Sequence, residues 1–179
     1  MDSIMPMATT KRHNKIINEF VRNVSGVDFY DVDILTSDCL LVFWGNRAEL
    51  LTANLIDISQ IEDIEHFKED VMNDLYCVWP DFMMFDKNKF IENKRQTRTA
   101  GFPDLAIEVW SDGNDIKEQE FKKILYSTSD ATEHWYVKQG SNEVECFLGN
   151  ETLPKQSLLN VLKTVNGVKF DLTRRAIKQ

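Results

Sequence analysis

With 179 residues, 42% of them hydrophobic and 28% charged, the chain fits one globular domain over 1–179 and is short for two. Its net charge of −8 and pI of about 4.9 argue against broad, charge-driven binding to a phosphate backbone, unless a bound divalent ion brings positive charge to one place. Cys39, Cys77 and Cys146 form no C-x-x-C pair and His13, His66 and His134 are equally scattered, which excludes a zinc-ligand pattern and predicts reduced thiols in a cytoplasmic protein.

Residues 1–8 read as a loose leader, without the basic lead and long apolar core of a signal peptide. Thr9 or Thr10 can cap a helix that carries Ile16, Ile17, Phe20, Val21 and Val24 on one face, with Gly26 as its stop. His13 and Glu19 fall on different faces of that helix, and Glu19 reads as solvated. Residues 29–35 alternate as a strand, residues 36–38 turn, and residues 39–44 form a second apolar strand, so a hairpin is expected. That apolar run is far shorter than the roughly 20 residues of a membrane span. Residues 58–75 read as an acidic helix with a solvated face, and His66 within it as structural or exposed.

Strand chemistry returns at residues 76–85, bent by Pro80, with Asp81 just after the bend. Residues 86–98 form a polar stretch with five basic and two acidic side chains, suited either to facing a phosphate backbone or to a solvated connection. From Gly101 the sequence GFPDLAIEVWSDGNDIKEQEFKKILY makes the most definite statement. Leu105, Ile107 and Val109 alternate with Asp104, Ala106, Glu108 and Trp110, the period of a strand; residues 111–114 turn; and from Asp115 a helix is predicted with Phe121, Ile124, Leu125 and Thr128 as its stripe. Residues 133–137 and 143–148 predict an antiparallel hairpin around Gln139–Asn142, with Trp135 and Phe147 in the core. A short helix is expected over residues 156–162, then a turn at Asn166–Gly167 and a basic end at Arg174, Arg175 and Lys178.

Glu108 lies inside an apolar strand, where an unpaired charge is expensive to bury; a metal ion would offset that cost. Asp104 and Glu108 share a strand face, but at about 3.3 Å per residue their Cα atoms stand roughly 13 Å apart, too far for two ligands of one ion. Residues in register on neighbouring strands start only about 4.8 Å apart, so Asp81 and Glu108 are the better pair. Asp81, just after a proline, also suits a plain turn cap.

The segments PDLAIEVWS, KKILY and EHWYV, together with WPDFMMF at 79–85 and Arg12-His13-Asn14, resemble in order the Uma-type family of restriction endonucleases, within the PD-(D/E)XK nuclease superfamily. The resemblance covers about residues 10–25 and 76–148 and fades over 45–75, which reads as a candidate insertion. It implies an α/β fold with a mixed central β-sheet flanked by α-helices. It also implies Mg²⁺- or Mn²⁺-dependent hydrolysis of DNA, commonly by a homodimer. Carried over residue by residue, it makes Asp81 and Glu108 metal ligands, with the Val109 carbonyl as a further candidate, and leaves Asp104 as a ligand of a second ion, a supporting residue or a strand-start residue.

The chain departs from the superfamily pattern at Trp110, where a lysine is usual. In Uma-type relatives the basic residue stands on the following helix, and the matching position is Lys122. The helical wheel puts Lys122 about 100° from Phe121 and favours Lys117 as a rival; Tyr126, one turn beyond, reads as a packing residue with its hydroxyl at the rim. Trp110, the acidic charge and residues 45–75 also suit a nuclease-fold protein that binds or assembles without cutting. A third alternative is action on RNA or another phosphodiester.

Overall fold

The computed structural model describes residues 11–28, 31–36, 40–44, 75–78, 80–86, 91–93, 98–100, 102–127 and 129–176. In chain order the elements are α1 (Lys11–Arg22), β1 (Val24–Ser25), β2 (Val32–Thr36), β3 (Leu40–Trp44), β4 (Leu75–Val78), β5 (Phe82–Asp86), β6 (Ile91–Asn93), β7 (Arg98–Ala100) and β8 (Leu105–Trp110). They continue with α2 (Ile116–Ser127), β9 (Glu133–Lys138), β10 (Glu143–Leu148), β11 (Glu151–Thr152), β12 (Gln156–Ser157), β13 (Leu162–Lys163), β14 (Lys169–Phe170) and α3 (Thr173–Ala176).

A seven-stranded mixed sheet in the order β11-β10-β9-β8-β5-β2, with β12 beside β10, organises the molecule. β5 runs antiparallel to both β2 and β8, whereas β8 and β9 are parallel. A parallel pair needs a crossover, and α2 supplies it, which lays this helix over one face of the sheet.

The alternation in β8 decides what each face carries. Leu105, Ile107 and Val109 join Phe82 and Met84 in a buried cluster with Ile16, Ile17 and Phe20 of α1. Ala106 joins Met83, Phe85, Tyr136 and Tyr126 of α2 on the other side. The α1 side is sealed by aromatics: the ring of Phe170 lies 5.4 Å from Phe20, 5.6 Å from Phe82 and 5.6 Å from Trp135. Full burial of each such ring contributes about 1.5–3 kcal/mol, which holds α1 firmly against the sheet.

The expected mixed α/β sheet with helices on its faces is what forms; several local expectations give way. β2 does not form a hairpin with β3, because β2 pairs with β5 in the large sheet while β3 lies between β4 and β7 in a four-stranded sheet. Pro80 and Asp81 therefore mark a change of sheet between β4 and β5, not a bend within one strand. Part of the polar stretch 86–98 is ordered as β6 and the start of β7, an antiparallel pair. α1 ends at Arg22, where the Asn23 side-chain amide donates to Glu19 O at 2.7 Å, so Gly26 does not stop it. Gly26 instead takes φ +78° where a Cβ would come within 2.9 Å of Gly167 O.

The helix expected over 156–162 is replaced by β12 and β13. The Gln156 side chain explains this by acting as a strand partner: its amide donates to Lys163 O at 2.9 Å and its carbonyl accepts from Lys163 N–H at 2.7 Å. The β9–β10 hairpin forms as expected, with Gly140 at φ +86° in its turn. Of the helix expected over residues 58–75, residues 58–74, with His66, lie outside the described residues, and Leu75 begins β4 instead. Cys146 is a buried free thiol. No helix among the described residues is long and apolar enough to cross a membrane.

Candidate active site

Antiparallel pairing of β5 with β8 sets Phe82 opposite Ile107. One step further along the ladder brings Asp81 opposite Glu108, and the Val109 N–H donates to Asp81 Oδ2 at 2.7 Å. β5 begins only at Phe82, after Pro80, so Asp81 stands just outside the strand and its side chain accepts that bond at the strand's start. From the α1 side, His13 Nε2 lies 3.1 Å from the same Asp81 Oδ2. Asp81 Oδ1 has no hydrogen-bond partner among the described residues.

Glu108 is completely buried, at 0% exposure. Its oxygens are held separately: Lys122 Nζ donates to Oε2 at 2.8 Å and the Tyr126 hydroxyl donates to Oε1 at 2.7 Å. Both donors come from α2 one turn apart, the spacing that places two side chains on the same helix face. Glu118, one turn before Lys122 and partly exposed, reaches its ammonium at 3.6 Å.

Burial pushes the Glu108 carboxyl up to about 7, aided by nearby Asp81 and opposed by Lys122 and Tyr126. Burial would lower the Lys122 ammonium, but Glu108 and Asp81 outweigh it and hold it above its ordinary value. The two rises differ in origin, desolvation at the acid and attraction at the base, and both make the cluster keep protons to higher pH. The Tyr126 hydroxyl is raised well above its ordinary range by burial and by Glu108, so it remains a donor. His13 is raised too; burial alone would lower it, and the hydrogen bond and charge of Asp81 prevail.

Asp81, Glu108 and Lys122 thus converge, and Asp104 does not join them. Asp104 sits just before β8, where its Oδ2 accepts from Asp86 N–H at 2.6 Å and its backbone bonds Met84 O and Glu133 N–H. Four residues of extended chain, roughly 13 Å, separate it from Glu108. The Lys117 side chain lies outside the described residues.

The wheel argument against Lys122 fails for a clear reason. Ile124, in the expected stripe, is 67% exposed, while Lys122 is 8% exposed. Lys122 lies inward because the buried Glu108 takes its ammonium as counter-charge and the Tyr126 hydroxyl as second donor. Tyr126 is accordingly buried, with no hydroxyl at the rim. Trp110, at the usual lysine position, lies 4.4 Å from the Tyr136 ring and 5.3 Å from Lys123 Nζ.

Two residues that the sequence singled out without a role in the site, His13 and Tyr126, contact its acids. His13 occupies the same stripe as Ile16, Ile17 and Phe20, and a histidine on an apolar face was the available signal. Tyr126 was marked by its one-turn spacing from Lys122.

The cost of burying Glu108 is met by Lys122 and Tyr126, so it does not by itself demand an ion. The donors nevertheless suit one of a particular kind. Among the described residues no three His, Cys, Asp or Glu side chains form a metal-ligand cluster. Two facing carboxylates with unused lone pairs, one of them the unpartnered Asp81 Oδ1, match a hard cation that keeps several waters.

A family model, Uma2, described as "Putative restriction endonuclease", matches residues 48–173 and so runs through most of 45–75. The fold is similar to the crystal structure of a "putative nuclease belonging to DUF820" from Anabaena variabilis, at a TM-score of 0.55 and 10% identity, covering 97% of this chain and 85% of that one. At that identity the likeness is one of fold. Among curated proteins none matches.

Proposed function

Because the chain belongs to the Uma2 family of restriction-endonuclease-like proteins, we propose that it is a Mg²⁺- or Mn²⁺-dependent endonuclease that hydrolyses DNA phosphodiester bonds. The observation that carries this reading is the meeting of Asp81 and Glu108 across the β5–β8 ladder, with the buried Lys122 ammonium 2.8 Å from Glu108. Asp81 Oδ1 and the Glu108 carboxylate would hold the ion. When bound, such a cation supplies charge neutralisation at the phosphate and lowers the pKa of a water nucleophile.

The chain's own residues do the remaining work. Lys122 stays charged in a dry site and offers N–H donors to a phosphoryl oxygen, where such stabilisation is strong. Tyr126 fixes Glu108 Oε1, so that the carboxylate keeps one orientation as its other oxygen exchanges partners. Asp104 organises the start of β8 from a distance. The same reading takes duplex DNA as the substrate and two protomers as the working unit, one strand cut by each.

Nicking of supercoiled plasmid in Mg²⁺ and Mn²⁺, with the native chain beside identically prepared Glu108→Ala, tests the proposal. Metal-dependent nicking should fall at least about a hundredfold in the variant, the scale of removing one preorganised electrostatic group. Equal nicking by both preparations would refute the assignment. A second reading, a nuclease-fold protein that binds without cutting, is favoured by one observation: Glu108 is fully satisfied by Lys122 and Tyr126 alone. Absence of nicking in either metal would favour it.

A further inference from the structure

We propose that His13 is a positioning residue that fixes the Asp81 carboxylate for a divalent cation, an inference that rests on the metal-dependent reading above. Asp81 Oδ2 faces two partners, Val109 N–H at 2.7 Å and His13 Nε2 at 3.1 Å. An ionised carboxylate only accepts, so Nε2 is the donor, and the two lone-pair directions of Oδ2 are both used. Oδ1 is left as the oxygen without a partner among the described residues. One end of the carboxylate is clamped and the other is presented, which restricts a cation to a single oxygen of Asp81.

The clamp is stiff because α1 is stiff. His13 precedes Ile16 and Ile17 by one turn and Phe20 by two, and those three side chains are buried in the aromatic-rich core against β5 and β8. The Val109 N–H belongs to β8 itself. Asp81 is therefore gripped between a helix on one face of the sheet and the strand that carries Glu108. Without His13, one hydrogen bond would remain, and the carboxylate could turn about its side-chain torsion. A histidine that merely filled space would have no need to meet the one carboxylate opposite Glu108.

Mn²⁺ titrated calorimetrically into the full chain tests this, with thermal unfolding in chelator run beside it. His13→Ala should bind Mn²⁺ about 10- to 100-fold more weakly, as outer-shell partners of metal ligands do, while His13→Gln, whose amide N–H can replace Nε2–H, should return to within about threefold of native. Melting temperatures without metal should not follow that order. Should His13→Ala fail to fold, His13→Leu removes the donor while keeping volume and serves the same comparison. Native-like Mn²⁺ affinity in the folded Ala or Leu variant would overturn the role of His13 alone. So would a folded Gln variant no better than Ala. A native chain that binds no Mn²⁺ would overturn the metal-dependent reading and His13's role together.

Discussion

Two glutamates on the neighbouring parallel strands β8 and β9 are buried almost equally, Glu108 at 0% and Glu133 at 2% exposure, yet their partners differ in kind. Glu133 stands at the start of β9 and accepts from the Trp135 indole N–H at 2.7 Å and the Val165 N–H at 2.9 Å. Both donors are neutral and belong to the fold, so the carboxylate stitches the C-terminal segment to the sheet. Glu108 faces another acid and is answered by a buried cation and a hydroxyl from the crossover helix. Burial raises both carboxyls. Burial and a perturbed pKa therefore do not separate a structural acid from a chemical one; the partners do. An acid held by neutral donors of the fold matches a structural role, whereas a charge cluster around Asp81 and Glu108 is the arrangement that the proposed chemistry would use.

The largest expected effect comes from removing the cation from one side of this comparison. Lys122→Ala should lower stability by about 3–5 kcal/mol at pH 8, because it strands a buried charge. Urea unfolding would measure it, and adding Glu108→Gln should recover most of the loss. A loss below about 1 kcal/mol would mean that the pair behaves as a surface ion pair.

The next effect depends on pH. The folded Glu108 carboxyl titrates near 7 against an ordinary 4.5, so as pH rises between these values the unfolded chain releases a proton that the folded chain keeps. Stability is then fully present below the ordinary value and is lost as pH rises to about 7, by about 3 kcal/mol in all. The difference in unfolding free energy between the native chain and Glu108→Gln, followed from pH 4 to 8, isolates this group, since Glu133 contributes to both. A difference independent of pH would contradict the raised carboxyl.

The smallest effect belongs to the structural partner. Glu133→Gln keeps an acceptor for one donor and gives up part of the other bond, a loss of about 1 kcal/mol, and should leave plasmid nicking as in the native chain. Loss of nicking in a stably folded Glu133→Gln would erase the distinction between the two acids.

Much of this was legible in the order of residues. The period of two in Leu105–Trp110, the turn residues after it and the spacing argument for Asp81 with Glu108 all rest on distances that a strand sets locally, and the structure places these residues accordingly. Other features were not legible, for nameable reasons. Ile124 was placed on the buried stripe of α2 because a helix was assumed to bury its apolar residues, and here a buried acid drew in Lys122 and Tyr126 while Ile124 stayed out. Residues 156–157 and 162–163 form short strands in place of a helix because one side chain, Gln156, bonds a backbone seven positions on. The partner of β2 was misassigned because two alternating runs joined by a short link suggest a hairpin, whereas β2 finds β5 much further along the chain.

The order of residues sufficed for the strand period of β8, the β9–β10 hairpin and the family, because these depend on residues close together or on a pattern of motifs in order. Tertiary contacts alone set that Lys122 and Tyr126 look inward from α2, that β2 and β3 part into different sheets, and that His13 reaches Asp81. Each of those is a choice of long-range partner, settled by which buried charges and apolar surfaces must be satisfied together, and spacing along the chain carries no record of it.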